Sequence, residues 1–128
     1  MATRQEVSQF LSEVAAAILL GHVQWITRAE TTQGLLDLGI NQSIAHELIQ
    51  NLTPDNYSTG PEPDRNCPGR DVWIFGVTVN SLEAYVKLAL QKHNRKKTVV
   101  VAIVWSFHPA KHKLIYPLAT DGQQNKTN

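Results

Sequence analysis

The sequence predicts an α+β fold, and three observations carry that expectation. Apolar residues in the first half recur at intervals of three and four, those after residue 71 alternate with a period of two, and a Pro- and Gly-rich stretch separates the two regimes. N-terminal helices should therefore pack on a twisted antiparallel β-sheet that follows them in the chain. A length of 128 residues, 42% hydrophobic and 18% charged, suits one domain, placed at residues 1–120, with a disordered tail at 121–128.

Val7, Phe10, Leu11, Val14 and Ile18 form one stripe of a helix running from Arg4 to Leu20, which Gly21 ends. "HVQWI" reads as a short extended link. "TRAE" has the pattern of a capping box, with Thr27 serving the first-turn amides and Glu30 reaching back, so a second helix should run to Leu38 and stop at Gly39. Asn41 or Ser43 can cap a third helix whose apolar face is Ile44, Leu48, Ile49 and Leu52; "TPD" then begins one more short turn. "YSTGPEPDRNCPGRD", residues 57–71, is a loop by its prolines and glycines.

Beyond the loop, "VWIFGVTV" and "EAYVKLAL" alternate on either side of a turn at Asn80 and Ser81 and read as an antiparallel pair. "TVVVAIVWSF" is a third, more buried strand, joined to the second by the "HNRKK" hairpin loop, and "KLIYPL" is a short closing strand limited by Pro117. No internal repeat is present.

The net charge of +1 hides an asymmetry. Residues 1–83 carry four Lys/Arg against ten Asp/Glu, whereas residues 84–120 carry seven Lys/Arg and no acid. A basic C-terminal part points to a polyanionic partner, nucleic acid first, although a basic face docked on the acidic half is the plainer alternative. The single cysteine, Cys67, cannot form an internal disulfide, and "VAAAILL" is too short to span a membrane. With no signal peptide and no anchor read from the sequence, the expectation is a soluble, cytoplasmic protein with no membrane partner.

Alternation sorts the strand residues into faces. Ala84, Val86, Leu88 and Leu90 share one side of their strand, Tyr85 and Lys87 the other; Val99, Val101, Ile103, Trp105 and Phe107 form one set, with Ser106 and His108 opposite. If the polar faces coincide, Tyr85, Lys87, Ser106 and His108 gather beside the Pro-rich loop. That group suits RNA cleavage by the RNA's own 2′-hydroxyl, which needs a base, an acid and a cation for the charge growing on the phosphate. Imidazole, with an ordinary pKa of ~6.5, can fill either proton role, so His108 is the candidate proton carrier and Lys87 the fixed charge. Tyr85 can position the phosphate, stack on a base, or donate a proton if neighbouring lysines lower its pKa. Arg95, Lys96, Lys97, Lys111 and Lys113 would hold RNA by its phosphates. No cofactor is called for, and His108 with His112 makes an incomplete metal set. Taken singly, His108 could as well be a surface histidine, Tyr85 and Lys87 a solvated strand face, and the three tryptophans plain core.

Four blocks in order, "LTPDNYSTGPEPD", "DVWIFG", "EAYVKLAL" and "VWSFHPAKHKLIYP", resemble successive blocks of the MqsR-type toxins of bacterial toxin–antitoxin pairs, over roughly residues 27–118. The resemblance implies a RelE-like fold and a metal-independent endoribonuclease, an mRNA interferase, that cuts mRNA until a cognate antitoxin restrains it, with the ribosome a further candidate partner. It also implies site residues. Tyr57 matches a family tyrosine, but Ser58 stands where a lysine follows it; Trp73 matches, but Ile74 replaces a glutamine; Tyr85 and Lys87 match; His108 stands where a catalytic lysine is expected. Asp64 and Arg65 of the loop are candidates to replace the missing polar groups, and His108 to take on acid–base work. A non-catalytic RNA-binding or regulatory domain, or a protein-interaction module, on the same fold are the alternatives.

Overall fold

The computed structural model describes residues 1–65, 67–94 and 98–120. Its elements are helix α1 (Arg4–Leu19), strand β1 (Val23–Trp25), helices α2 (Ala29–Leu38) and α3 (Gln42–Gln50), a 3₁₀ turn (Pro54–Asn56), and strands β2 (Tyr57–Pro63), β3 (Asp71–Val79), β4 (Leu82–Asn94) and β5 (Thr98–Pro109). The expected α+β class is what forms. The sheet, however, is mixed: its order is β1-β5-β4-β3-β2, and β1 runs parallel to β5, with Val23 opposite Ala102 and Trp25 opposite Val104.

Helix α1 begins where Thr3 and Glu6 close a capping box, the Glu6 amide donating to Thr3 Oγ1 at 3.1 Å and the Thr3 amide to Glu6 Oε1 at 2.8 Å. Its stripe of Val7, Phe10, Leu11, Val14, Ala17 and Ile18 packs on one face of the sheet against Phe75, Val86, Leu88, Val104 and Phe107. Helix α2 ends as expected at Gly39, which takes a left-handed φ of 74°, but Arg28 and not Thr27 is its N-cap, and no side chain caps it. Glu30, expected to complete a capping box, turns to other partners. Asn41 caps α3, accepting from the Ile44 amide at 2.9 Å.

Three further expectations are corrected. Residues 57–63 are strand rather than loop, since β2 is an edge strand in which Pro61 sits at a register shift between Thr59 and Glu62 and Pro63 is the last residue. "KLIYPL" forms no strand; it crosses the sheet as an irregular strap, with Leu114 and Tyr116 lying over Gly76. In β5, Lys87 faces Ser106 while Leu88 faces Val104, so Trp105 is an extra residue, a bulge, and Phe107 shares the core face with Val104 instead of lying on the side of Trp105. The hairpin of β3 and β4 turns at Asn80 and Ser81, both with positive φ (49° and 71°), as its sequence predicts. Among the described residues no helix is long and apolar enough to cross a membrane.

Candidate functional site

The face of the sheet turned away from α1 carries a small apolar cluster of Val72, Ala89, Ile103 and Trp105, and next to it a cavity of about 340 Å³. Arg28, Glu30, Tyr85, Lys87, Ser106, His108, Lys111, His112 and Leu114 line it. Register explains how it is built. Tyr85 lies opposite His108 and Lys87 opposite Ser106, so the β4–β5 ladder sets the four predicted residues side by side. The Tyr85 and His108 rings stack with centroids 5.1 Å apart and an interplanar angle of 18°.

Helix α2 supplies the wall. Strand β1 covers β5 only as far as Val104; beyond it α2 lies against β5 so closely that a Cβ on Gly34 would fall 2.3 Å from His108 Cβ and 2.8 Å from the Phe107 carbonyl. One turn before Gly34, on the same helix face, Glu30 reaches His108, its Oε1 3.5 Å from Nε2, and it also pairs with Lys111. The Lys111 bond first and the His108 charge second hold the Glu30 carboxyl below the usual glutamate value.

His108 is 7% exposed, and its Nδ1 lies 2.8 Å from the Pro109 carbonyl oxygen. A carbonyl can only accept, so Nδ1 carries the hydrogen and Nε2, the nitrogen facing Glu30, is the one free to gain or lose a proton. Tyr85 behaves opposite to the lowering considered for it. Burial, then the charges of Glu62 and Glu30, raise its phenol above the usual tyrosine value, which leaves it protonated at neutral pH and suited to hydrogen bonding.

The remaining predicted residues separate. Tyr57 does not join the cavity: at 1% exposure it belongs to the core on the other face, packed edge-on to Trp73 and Phe75, and its hydroxyl donates to the Gly60 carbonyl and accepts from the Ala2 amide. Asp64 is buried in an ion pair with Arg70, Oδ2 standing 3.1 Å from Nε and 3.0 Å from Nη2, so it acts on the face through that arginine. Arg65 and Lys113 are exposed and line no part of the cavity, whereas Lys111 does. Arg95, Lys96 and Lys97, with the tail at 121–128, lie outside the described residues. Ile74, where the family pattern has a glutamine, sits opposite Lys87 and brings no polar group.

Sequence reasoning missed Arg28, Glu30 and Arg70. The first two sit in what reads as a helix cap, and the third in what reads as loop. Arg28, Arg70 and Lys87 converge on the Trp105 ring, with Arg28 Cζ at 5.2 Å, Arg70 Cζ at 5.3 Å and Lys87 Nζ at 5.7 Å from its centroid. Among the described residues no group of three metal-ligating side chains is close enough to hold an ion. Comparison of the chain with protein-family models, with curated proteins and with solved structures finds no match.

Proposed function

We propose that this chain is an endoribonuclease that cuts RNA at the cavity of His108 and Lys87 by attack of the neighbouring 2′-hydroxyl, on a fold of the RelE-like kind. The observation that supports this best is the placement of His108, whose Nδ1 is held at the Pro109 carbonyl and whose Nε2, 3.5 Å from Glu30 Oε1, lies at a cavity lined also by Lys87. In the proposed reaction Nε2 takes the 2′ proton as the 2′ oxygen bonds to phosphorus, and the Lys87 ammonium stabilises the added negative charge on the phosphoryl oxygens. The bond to the 5′ oxygen then breaks, that oxygen taking a proton from His112, the second imidazole in the cavity. The products are a 2′,3′-cyclic phosphate and a 5′-hydroxyl. Tyr85, protonated and stacked on His108, holds the imidazole plane and offers its hydroxyl to the phosphate.

Cleavage of mRNA under the control of a cognate antitoxin, in the manner of a type II toxin, is the biological reading we attach to this chemistry. It rests on the block resemblance together with the cationic cavity. The test is incubation of purified protein with a mixed RNA, followed by analysis of the ends. We expect cyclic phosphate ends, loss of cleavage with a single 2′-deoxy nucleotide at the cut position, and loss of activity in His108→Ala and Lys87→Ala with the fold retained. Cleavage of the 2′-deoxy substrate, or products with a 5′-phosphate, would overturn the mechanism. The apolar Ile74 beside Lys87 favours a second reading, an RNA-binding domain that does not cut; retention of RNA without new ends in the same assay would establish it.

A further inference from the structure

The open face holds more positive charge than one scissile phosphate needs. Arg28, Arg70 and Lys87 all lie within 5.7 Å of one indole centroid, so they stand within roughly a Debye length (~10 Å at 0.1 M salt) of one another and salt does not screen their repulsion away. Only Arg70 is neutralised in place, by Asp64; among the described residues Arg28 and Lys87 have no carboxylate within ion-pair distance. Glu30, the nearby acid, pairs with Lys111 and His108 and acts on Arg28 only through space, beyond ion-pair distance.

The cluster is also built rather than incidental. Arg70 is 14% exposed and locked by two bonds to Asp64 and one, at 3.1 Å, to Gln91, which leaves one N–H on each terminal nitrogen uncommitted. Trp105, around which the cations gather, is 7% exposed, and its Nε1 has no hydrogen-bond partner. A buried indole offers the cations a face but no counter-charge. Three gathered cations with one carboxylate, Asp64, in direct ion-pair contact, and with Glu30 shared between Lys111 and His108, form a site for an anion that comes from outside.

We infer that Arg28 and Arg70, arranged around Trp105, form a second phosphate subsite next to the one Lys87 serves, so that the substrate is recognised as an oligonucleotide through two phosphates. This rests on the RNA reading above and adds to it a length requirement and a place for the second phosphate. Arg28 is an exposed helix N-cap outside the core, so Arg28→Gln tests the subsite without threatening the fold.

The experiment compares two non-cleavable probes, a 2′-O-methyl dinucleotide with one phosphate and the trinucleotide with two, binding to wild type and Arg28→Gln across a salt series. Wild type should bind the trinucleotide about ten-fold or more tighter. Arg28→Gln should erase most of that ratio and flatten the trinucleotide's salt slope by about 0.7, the value of one phosphate on a single strand. Equal affinity of wild type for the two probes, or an unchanged ratio in Arg28→Gln, overturns the subsite. Tighter binding of an acidic peptide than of the trinucleotide overturns it too, since the cluster would then be a protein-docking surface. Parallel kcat/KM values on the cleavable forms keep the two ideas apart. Cleavage with no length preference removes the subsite alone, and an Arg28-dependent ratio without cleavage removes the nuclease reading alone.

Discussion

Replacing Gly34 by alanine sets two effects of opposite sign against each other. In an ordinary helix interior the change is favourable by about 1 kcal/mol, because glycine is the poorer helix former. Here the added Cβ would stand 2.3 Å from His108 Cβ, 2.7 Å from His108 Cα and 2.8 Å from the Phe107 carbonyl, and two of those three atoms are backbone in β5. Carbon atoms in contact sit ~3.5–4.0 Å apart, so α2 must retreat by more than 1 Å. Overpacking of this kind costs about 1–3 kcal/mol, and a backbone obstacle belongs at the upper end. The net is a loss of about 2 kcal/mol, or about 1 M in the urea midpoint for a chain of this size. Helix retreat also carries Glu30 away from His108, so activity should fall further than the lost population of folded protein explains. Gly76→Ala is the comparison in which the new Cβ meets side-chain ends, Tyr116 and Leu114, rather than backbone; they can move, at the expense of the Tyr116–Glu83 bond. Urea unfolding followed by circular dichroism measures all three proteins. A midpoint for Gly34→Ala at or above that of wild type would refute the close approach on which the site's wall depends.

Tyr57→Phe removes a buried hydroxyl bonded to Gly60 and Ala2, so it should lower stability by about 1 kcal/mol in urea melts while leaving RNA cleavage per folded molecule unchanged. Tyr116 donates to Glu83 at 2.5 Å, and burial with that bond raises its phenol; its contribution is present below the usual tyrosine value and is lost as pH rises through the raised one. Tyr116→Phe should therefore cost about 1.5 kcal/mol at neutral pH, with the gap from wild type starting to close only above pH ~10. The depressed carboxyl of Glu30 has the opposite sign: its contribution is present above the usual glutamate value and disappears as pH falls through the lowered one. The midpoints of wild type and Glu30→Gln should accordingly differ at pH 7 and converge below about pH 4, in urea melts at stepped pH.

What could be read from the chain alone was what is local. The stripe of α1, the stop at Gly39, the cap at Asn41 and the turn at Asn80 and Ser81 each follow from residues within a few positions of one another. The gathering of Tyr85, Lys87, Ser106 and His108 on one face also followed, on the condition that the polar faces of the two strands coincide, whereas their register, and the bulge that puts Trp105 on that face too, did not. Strand β1 was not legible, because three residues carry no period and their partners, Ala102 to Val104, lie nearly eighty positions away. Strand β2 was hidden by Pro61 and Pro63, which argue against a central strand but not against an edge. Tyr57 was misplaced for a related reason: position after the last helix says nothing about which face of the sheet a side chain meets, and the strand that decides it was read as loop. Glu30 looked like half of a capping box, and only the approach of α2 to β5 turns it toward His108.

The bulge joins these corrections into one account of how an oily strand ends in a polar site. Were Trp105 absent, Val104, Ser106, Phe107 and His108 would follow the regular alternation, with Val104 and Phe107 on the core side and Ser106 and His108 on the open side, which is where they lie. The ladder to β4 and the core therefore do not need Trp105. The extra residue leaves the parity of its neighbours as a regular strand would have it and adds an indole to the small apolar cluster on the open face. Bulges increase local twist and re-aim side chains, and they gather next to functional sites for that reason. Around this indole collect Arg28 from the start of α2, Lys87 from β4 and Arg70 from the segment after β2, the last held in place by Asp64 and Gln91. Their convergence on the one residue the sheet could do without is the feature of this face that the proposed anionic substrate would explain.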